Sequence, residues 1–273
     1  MRALGSLVGW SLRRGAVGIV SLLIGLALFE LVQPVAIASF GDLDRLTPLL
    51  QIVPPSFWAL LNVTPDFVQS AGLAGYLALG FTHPVFHVLV ATTVIWFVAR
   101  GLAGEMERGT IHLALARPVS RSRLFAARMV GVGIVVTLVA VAGPIGMAAG
   151  LLISEPDGRL DQANFLLVGV SVWLLAWAVA GIATVVAAAV STMSKAVGIA
   201  IGVVVLSYVI DYFSSLWAAL RPFEPLSFFS YYEPTLALAI GELDGSDALV
   251  LAAVGLAGTI AGWTIFARRD LPV

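Results

Sequence analysis

The chain has 273 residues, of which 60% are hydrophobic and 11% are charged, and its mean hydropathy is +1.01. Soluble domains carry roughly 25% charged residues, so the composition excludes an ordinary water-soluble protein and indicates a membrane protein. The net charge is -1 and the charges are sorted along the chain in a way that a nucleic-acid binder would not show, so no nucleic-acid partner is expected. Cysteine is absent, which excludes disulfides and thiolate metal sites.

Six long apolar stretches predict six transmembrane helices, since a helix needs about 20 residues to cross a hydrocarbon core. A span must satisfy its own backbone hydrogen bonds in lipid, and these stretches lack the alternation of barrel strands. The predicted fold class is therefore an all-α membrane protein with a single transmembrane domain over residues 1–273. Its spans are expected at residues 15–40, 84–104, 129–153, 164–190, 196–219 and 248–267.

The residues before the first span allow three interpretations. Apolar residues at helical spacing beside arginines favour a short helix on the inner lipid surface, over residues 1–14, rather than a frayed terminus. A signal peptide is the third interpretation, because Arg13 and Arg14 precede an apolar run and residues 36–38 show a small-x-small pattern. The run is longer than the usual signal segment, so a retained first span is expected.

The first outer segment, residues 41–83, is longer than most loops and is expected to carry short helices of its own. Proline suits the first turn of a helix, so the second span is expected to begin near Pro84.

The basic residues predict the orientation. Of the 15 basic residues, 12 fall on the side that holds both termini, and by the positive-inside rule that side is cytoplasmic. We expect a multi-pass protein of the plasma membrane with both termini inside. The 12 residues are Arg2, Arg13, Arg14, Arg100, Arg108, Arg117, Arg121, Arg123, Arg128, Lys195, Arg268 and Arg269.

Motifs for catalysis and cofactor binding are missing. A Walker motif needs a lysine after a glycine-rich loop, and the only lysine, Lys195, has no such loop. No G-x-S-x-G or H-E-x-x-H pattern occurs. His83 and His87 are four residues apart, but a polar helix start explains them better than a metal site. We therefore expect no catalytic residue, no metal site and no cofactor on this chain.

Two acids, Glu30 and Asp211, interrupt apolar spans. An ionisable residue inside a membrane suggests a function, such as proton coupling in a secondary carrier. At ~1.5 Å per residue, both lie in the outer half of their spans, where facing an outer vestibule is the alternative.

The inner loop, residues 100–128, carries two acids on an otherwise basic side, Glu105 and Glu107. Gly109 can end one helix in a left-handed turn, Thr110 can cap the next and Pro118 can stop it. Ser120 can then cap the third span. Either Glu105 pairs with Arg108 one turn later while the arginines bind lipid, or the acidic turn docks on a soluble partner.

The second outer segment, residues 220–247, contains three prolines that prevent a regular span. Its aromatic residues suit either a belt at the lipid headgroups or short broken helices buried in protein as an outer gate. The candidate gate residues are Phe228, Phe229, Tyr231 and Tyr232.

The inner loop resembles a known family. Residues 105–110 read EMERGT and residues 115–121 read LARPVSR, similar to the E-x-E-x-G-T and L-x-x-P-[VI]-[SG]-R signature of type-2 permease subunits of ATP-binding-cassette transporters. The six spans and the aromatic segment before the last span also resemble that family, whereas the long first outer segment departs from it.

The resemblance implies an ATP-driven transporter, and we expect an exporter. It implies two permease copies and two separate ATPase subunits that hold ATP and Mg, contacted through a coupling helix. The residues so implicated are Glu105, Glu107, Arg108, Gly109, Thr110 and Pro118. The spans offer few polar groups, so an amphiphilic or hydrophobic substrate is expected. A proton-coupled carrier using Glu30 or Asp211 and a membrane assembly subunit without transport are the alternatives.

Overall fold

The computed structural model describes residues 2–111, 120–158 and 160–269, and within these ranges it contains helices and no strand. The helices are α1 (Arg2–Ser39), α2 (Thr47–Ile52), α3 (Pro55–Leu60), α4 (Pro65–Ser70), α5 (Gly72–Thr82), α6 (Pro84–Gly101), α7 (Ala103–Glu107), α8 (Arg121–Ser154), α9 (Asn164–Ala189), α10 (Met193–Leu216), α11 (Pro234–Ala239) and α12 (Gly245–Arg268). Short 3-10 turns cover Leu43–Arg45, Ala218–Leu226 and Phe229–Tyr231.

Six of the described helices are long and apolar enough to cross a membrane, namely α1, α6, α8, α9, α10 and α12. The predicted all-α fold with six candidate spans is thereby confirmed. The helix α1 begins and α12 ends at the same end of the bundle, which we call the terminal end; the opposite end is the far end. Arg100 donates a hydrogen bond to the Arg14 carbonyl at the terminal end, which holds α6 beside α1.

The helices divide into an inner and an outer set. In the most apolar part of α6, α8 and α9, 50–56% of the residues are buried, whereas in α1, α10 and α12 the buried share is 22%. On α1 the exposed side chains recur every three or four residues, as in a helix with one face toward lipid. They include Val17, Val20, Ile24, Leu28 and Val32.

The helix α1 corrects the expectation for residues 1–14. The structure shows a single helix from Arg2 through Ser39 and no separate surface helix before the span. At ~1.5 Å per residue this helix exceeds the ~30 Å hydrocarbon core, so its first turns extend beyond it. Packing holds those turns in line, because Val8 is buried and the Trp10 ring lies 5.5 Å from the Arg128 guanidinium.

The first outer segment carries the expected short helices, α2 to α5. The helix α5 is buried, with Leu77, Ala78 and Phe81 fully covered, and it packs against α1, α6 and α11. The second span begins at Pro84 as expected, and the third begins at Arg121, earlier than the predicted residue 129. Ser120 caps that third helix by accepting a hydrogen bond from the Arg123 amide.

Glycines let the longest helices approach closely. Where α8 crosses α1, a Cβ atom added at Gly146 would overlap the Ala27 carbonyl, and one at Gly150 would overlap the Leu31 carbonyl. The small residues thus permit the backbone contact that drives helix association in lipid.

We expect Gly146→Ala to destabilise the chain by about 1–3 kcal/mol, because α1 and α8 must separate to admit the methyl group. Gly133→Ala is the matched control on the same helix, since nothing lies within 4 Å of a Cβ atom there. Thermal unfolding of the purified variants in detergent measures both. Equal melting temperatures would show that the α1–α8 contact does not depend on Gly146.

Candidate coupling site and far-end cap

Residues 102–110, which we call the elbow, turn the chain at the terminal end. The helix α6 ends at Gly101, the short helix α7 follows, and Gly109 closes the turn with φ +66°, the left-handed conformation that favours glycine. The Thr110 hydroxyl donates a hydrogen bond to the Glu105 carbonyl, and the residues that it was expected to cap lie outside the described ranges. Pro118 lies outside the described residues.

A buried ion pair fixes the elbow. Arg128 of α8 donates from Nη2 to Oε2 of Glu105 at 2.7 Å, and both side chains are more than nine-tenths buried. The Arg128 guanidinium also lies over the Trp10 ring of α1. The pair thus joins α1, α7 and α8.

This ion pair replaces the local pair of Glu105 with Arg108, which was one of the two alternatives left open by the sequence. Arg108 donates to the Arg100 carbonyl at 3.4 Å instead. Glu105 is only 4% exposed, so its carboxylate is turned into the chain and not toward a soluble partner.

Glu107 connects the elbow to α10. Its side chain is exposed, and Oε2 accepts a hydrogen bond of 2.8 Å from the Met193 amide. Met193 is the first residue of α10, so the carboxylate stabilises a free N–H group at a helix N-terminus and the positive end of its dipole. Glu107 therefore has an exposed surface and a direct contact to a span.

Arg269 closes the terminal end, a role that the sequence did not indicate. Its guanidinium donates to the Ala188 carbonyl at 2.9 Å, to the Val190 carbonyl at 3.0 Å and to the Ser191 hydroxyl, at the end of α9. Arg121 donates to the Arg269 carbonyl at 2.6 Å. In the sequence Arg269 counts only as one basic residue of the inner side, because its acceptors are backbone carbonyls of a distant helix.

At the far end, residues 218–239 fold over the bundle, and we call them the far-end cap. Phe228, Phe229 and Tyr232 are buried, and Tyr231 is half-buried. The Phe228 amide donates to the Ser207 hydroxyl at 3.0 Å, and the Tyr232 hydroxyl donates to the Phe81 carbonyl at 3.2 Å. These rings pack in protein, as the buried alternative requires, and not in a belt at the lipid surface.

The cap lies over a ring cluster and an apolar cavity. The His87 ring is 5.0 Å from Phe229 and 5.6 Å from both Tyr208 and Tyr232, between ring centroids. Beside it, a cavity of about 220 Å³ opens between α6 and α10. Its lining includes Val88, which is 62% exposed, so the cavity borders the outer surface of the bundle.

The histidines give no metal site within the described ranges, where no group of three possible ligands occurs. His83 is the N-cap of α6, and its Nδ1 accepts a hydrogen bond from the Val85 amide at 3.2 Å. This agrees with the polar helix start expected from the sequence. Burial lowers the pKa of His83, which favours the neutral ring that can accept this bond.

The two acids of the spans have different surroundings. Glu30 is fully buried between α5 and α8, whereas Asp211 on α10 is half-buried. An added Cβ at Gly80 would lie 2.6 Å from Oε2 of Glu30, so a glycine provides the space for the carboxyl group.

Loss of one partner of the Glu105–Arg128 pair tests its structural role. Glu105→Gln should destabilise the chain by about 3–5 kcal/mol, because Arg128 stays buried without a counter-ion. The double variant Glu105→Gln/Arg128→Met should recover most of that loss, since no charge remains unpaired. Denaturation of the purified variants measures this coupling, and additive effects of the two substitutions would contradict it.

Comparison with protein families places the chain among known proteins. The family model described as ABC-2 family transporter protein matches residues 23–271, which is most of the chain. A search of curated proteins gave no match.

Proposed function

The chain belongs to the ABC-2 family of transporter proteins and is a multi-pass membrane protein, and we propose that it is the permease subunit of an ATP-driven exporter. The family match carries this proposal, since an ABC permease works with an ATP-binding partner. It favours a permease over a proton-coupled carrier or an assembly subunit without transport.

The partners are two nucleotide-binding subunits that hold ATP and Mg, together with a second permease copy. The absence of a Walker lysine supports this division, because the chain then hydrolyses no nucleotide itself. The terminal end faces the cytoplasm of a cell bounded by the plasma membrane, as the 12 basic residues on that side favour.

The elbow transmits movement of the ATPase subunits to the spans. Glu107 offers an exposed carboxylate and contacts α10, while Glu105 passes any shift of α7 to α8 and α1 through Arg128. Arg108, Gly109 and Thr110 complete the docking turn. Because tightly packed helices move as units, a small shift at the elbow can become a rearrangement of the bundle.

The far-end cap is the gate that releases substrate. Phe229 lines the cavity between α6 and α10, and the Phe228 ring packs on it at 4.6 Å between centroids. Tyr232 is buried in the same cap, and Tyr231 anchors the cap through its hydroxyl bond to the Pro225 carbonyl. Among the polar side chains at that cavity are Thr92, His87 and Tyr208, in an otherwise apolar wall. An amphiphilic or hydrophobic substrate suits this lining.

The experiment is to purify the chain with its native ATPase subunits and to compare Glu107→Ala with Glu242→Ala, which removes an exposed acid at the far end. Glu107→Ala should insert normally but lose ATPase association or ATP-dependent transport about tenfold or more, since a charge-assisted hydrogen bond is worth about 1.5–3 kcal/mol. Glu242→Ala should behave as wild type.

Wild-type association and transport in Glu107→Ala would contradict the coupling role of the elbow. Failure of any Walker-motif ATPase to co-purify with the wild-type chain, under conditions that preserve membrane complexes, would contradict the permease proposal itself.

A further inference from the structure

Glu30 occupies a closed site built for its side chain. Its exposure is 0%, and neither carboxyl oxygen has a hydrogen-bond partner among the described residues. Gly80 of α5 leaves room for the two oxygens, and an added Cβ at Gly143 of α8 would lie 3.6 Å from the Cγ of Glu30. Two helices thus present glycines to a carboxyl group that they cover completely.

In the part of the chain that the structure describes, no basic side chain pairs with the Glu30 carboxyl group. The titratable groups on the elements that surround Glu30 include Tyr76 of α5, Tyr232 of the cap, and His83 and His87 of α6 and its N-cap. The arginines of α8 lie at the terminal end of that helix. The helices α5 and α8 present glycines there and no charge.

These neighbours do not serve as a counter-ion or a donor. The Tyr232 hydroxyl donates to the Phe81 carbonyl, and His83 accepts a bond from the Val85 amide and packs on Phe29. His87 is enclosed by aromatic rings. An ionised carboxylate buried without a partner costs far more than a neutral carboxylic acid, so the buried form of Glu30 must be neutral.

We propose that Glu30 is a proton-binding site whose occupancy is linked to the far-end cap. With the cap closed, the carboxyl group carries a proton. When Tyr232 and α5 move away from α1, water reaches Glu30, the O–H bond breaks, and the proton passes to water and leaves a carboxylate. Closing the cap requires that the carboxylate take a proton back from the far side.

The linkage to the cap rests on the proposed transport function, whereas the proton in the closed state rests on burial alone. The two parts therefore have separate tests. The first uses the isolated full chain and needs no ATPase subunit, so its outcome is independent of the permease proposal.

Infrared spectroscopy of the purified full chain near neutral pH detects the carbonyl stretch of a protonated carboxylic acid. The wild type should show this band, Glu30→Gln should lose it, and Asp66→Asn, which removes an exposed acid, should keep it. Glutamine matches the shape of the neutral acid, so the variant should fold. Identical spectra for the wild type and Glu30→Gln would overturn the proton site.

Isotope labelling gives a second readout that needs no substitution. Carboxyl labelling of glutamate with ¹³C should shift the protonated-acid band of the wild type. An unshifted band would assign the proton to an aspartate and overturn the proposal.

The linkage is tested in the assembled transporter by varying the pH on the far side alone. Wild-type transport should slow as that pH rises, because closing the cap consumes a proton, and Glu30→Gln should transport at a rate that does not change with pH. Wild-type transport that ignores the far-side pH would overturn the linkage and leave the permease proposal intact.

Discussion

The ion pair between Glu105 and Arg128 is the contact on which the terminal end depends. Opposite charges this deeply buried persist only as partners, because either one alone would carry the full cost of desolvation. The pair therefore sets where α7 lies against α8, and α7 in turn sets where Glu107 meets the start of α10. Arg269 adds the junction between α9 and α10 to the same assembly. Static contacts thus connect the terminal ends of most of the spans, as the proposed coupling through the elbow requires.

The two ends of the bundle are built by different means. The terminal end uses arginines that donate to carbonyl and carboxylate oxygens, whereas the far end uses buried rings and hydroxyl groups such as Ser207 and Tyr232. Between the two ends, the helices contact one another through glycines and apolar side chains. Close packing of this kind stabilises helix pairs in lipid, where the hydrophobic effect does not drive helices together. This arrangement suits a rigid terminal end, on which a partner could dock, and a far-end cap whose ring and hydroxyl contacts can break and re-form.

Much of the fold was predictable because lipid constrains it strongly. The lengths of the apolar stretches predicted the six spans, and the position of Pro84 predicted where α6 begins. The preference of serine for helix N-caps predicted Ser120 at the start of α8.

The partners of the site residues were not predictable. Helical spacing favoured Arg108 for Glu105, but tertiary packing supplied Arg128 from another helix. Glu30 is enclosed where α5 and α8 pack against it at Gly80 and Gly143. These glycines are far apart in the chain, so a single sequence could not show that both lie beside Glu30.

The proposed ATP-driven opening of the far-end cap is tested most directly by the distance between two spin labels in the assembled complex. The chain has no cysteine, so labels can be placed by substitution at two exposed far-end positions, Phe223 in the cap and Asp157 beyond α8. Pulsed electron paramagnetic resonance should give different distance distributions with and without ATP, and Glu107→Ala should abolish the difference. One unchanged distribution in both states, while the complex hydrolyses ATP and transports, would contradict the coupling of elbow to cap.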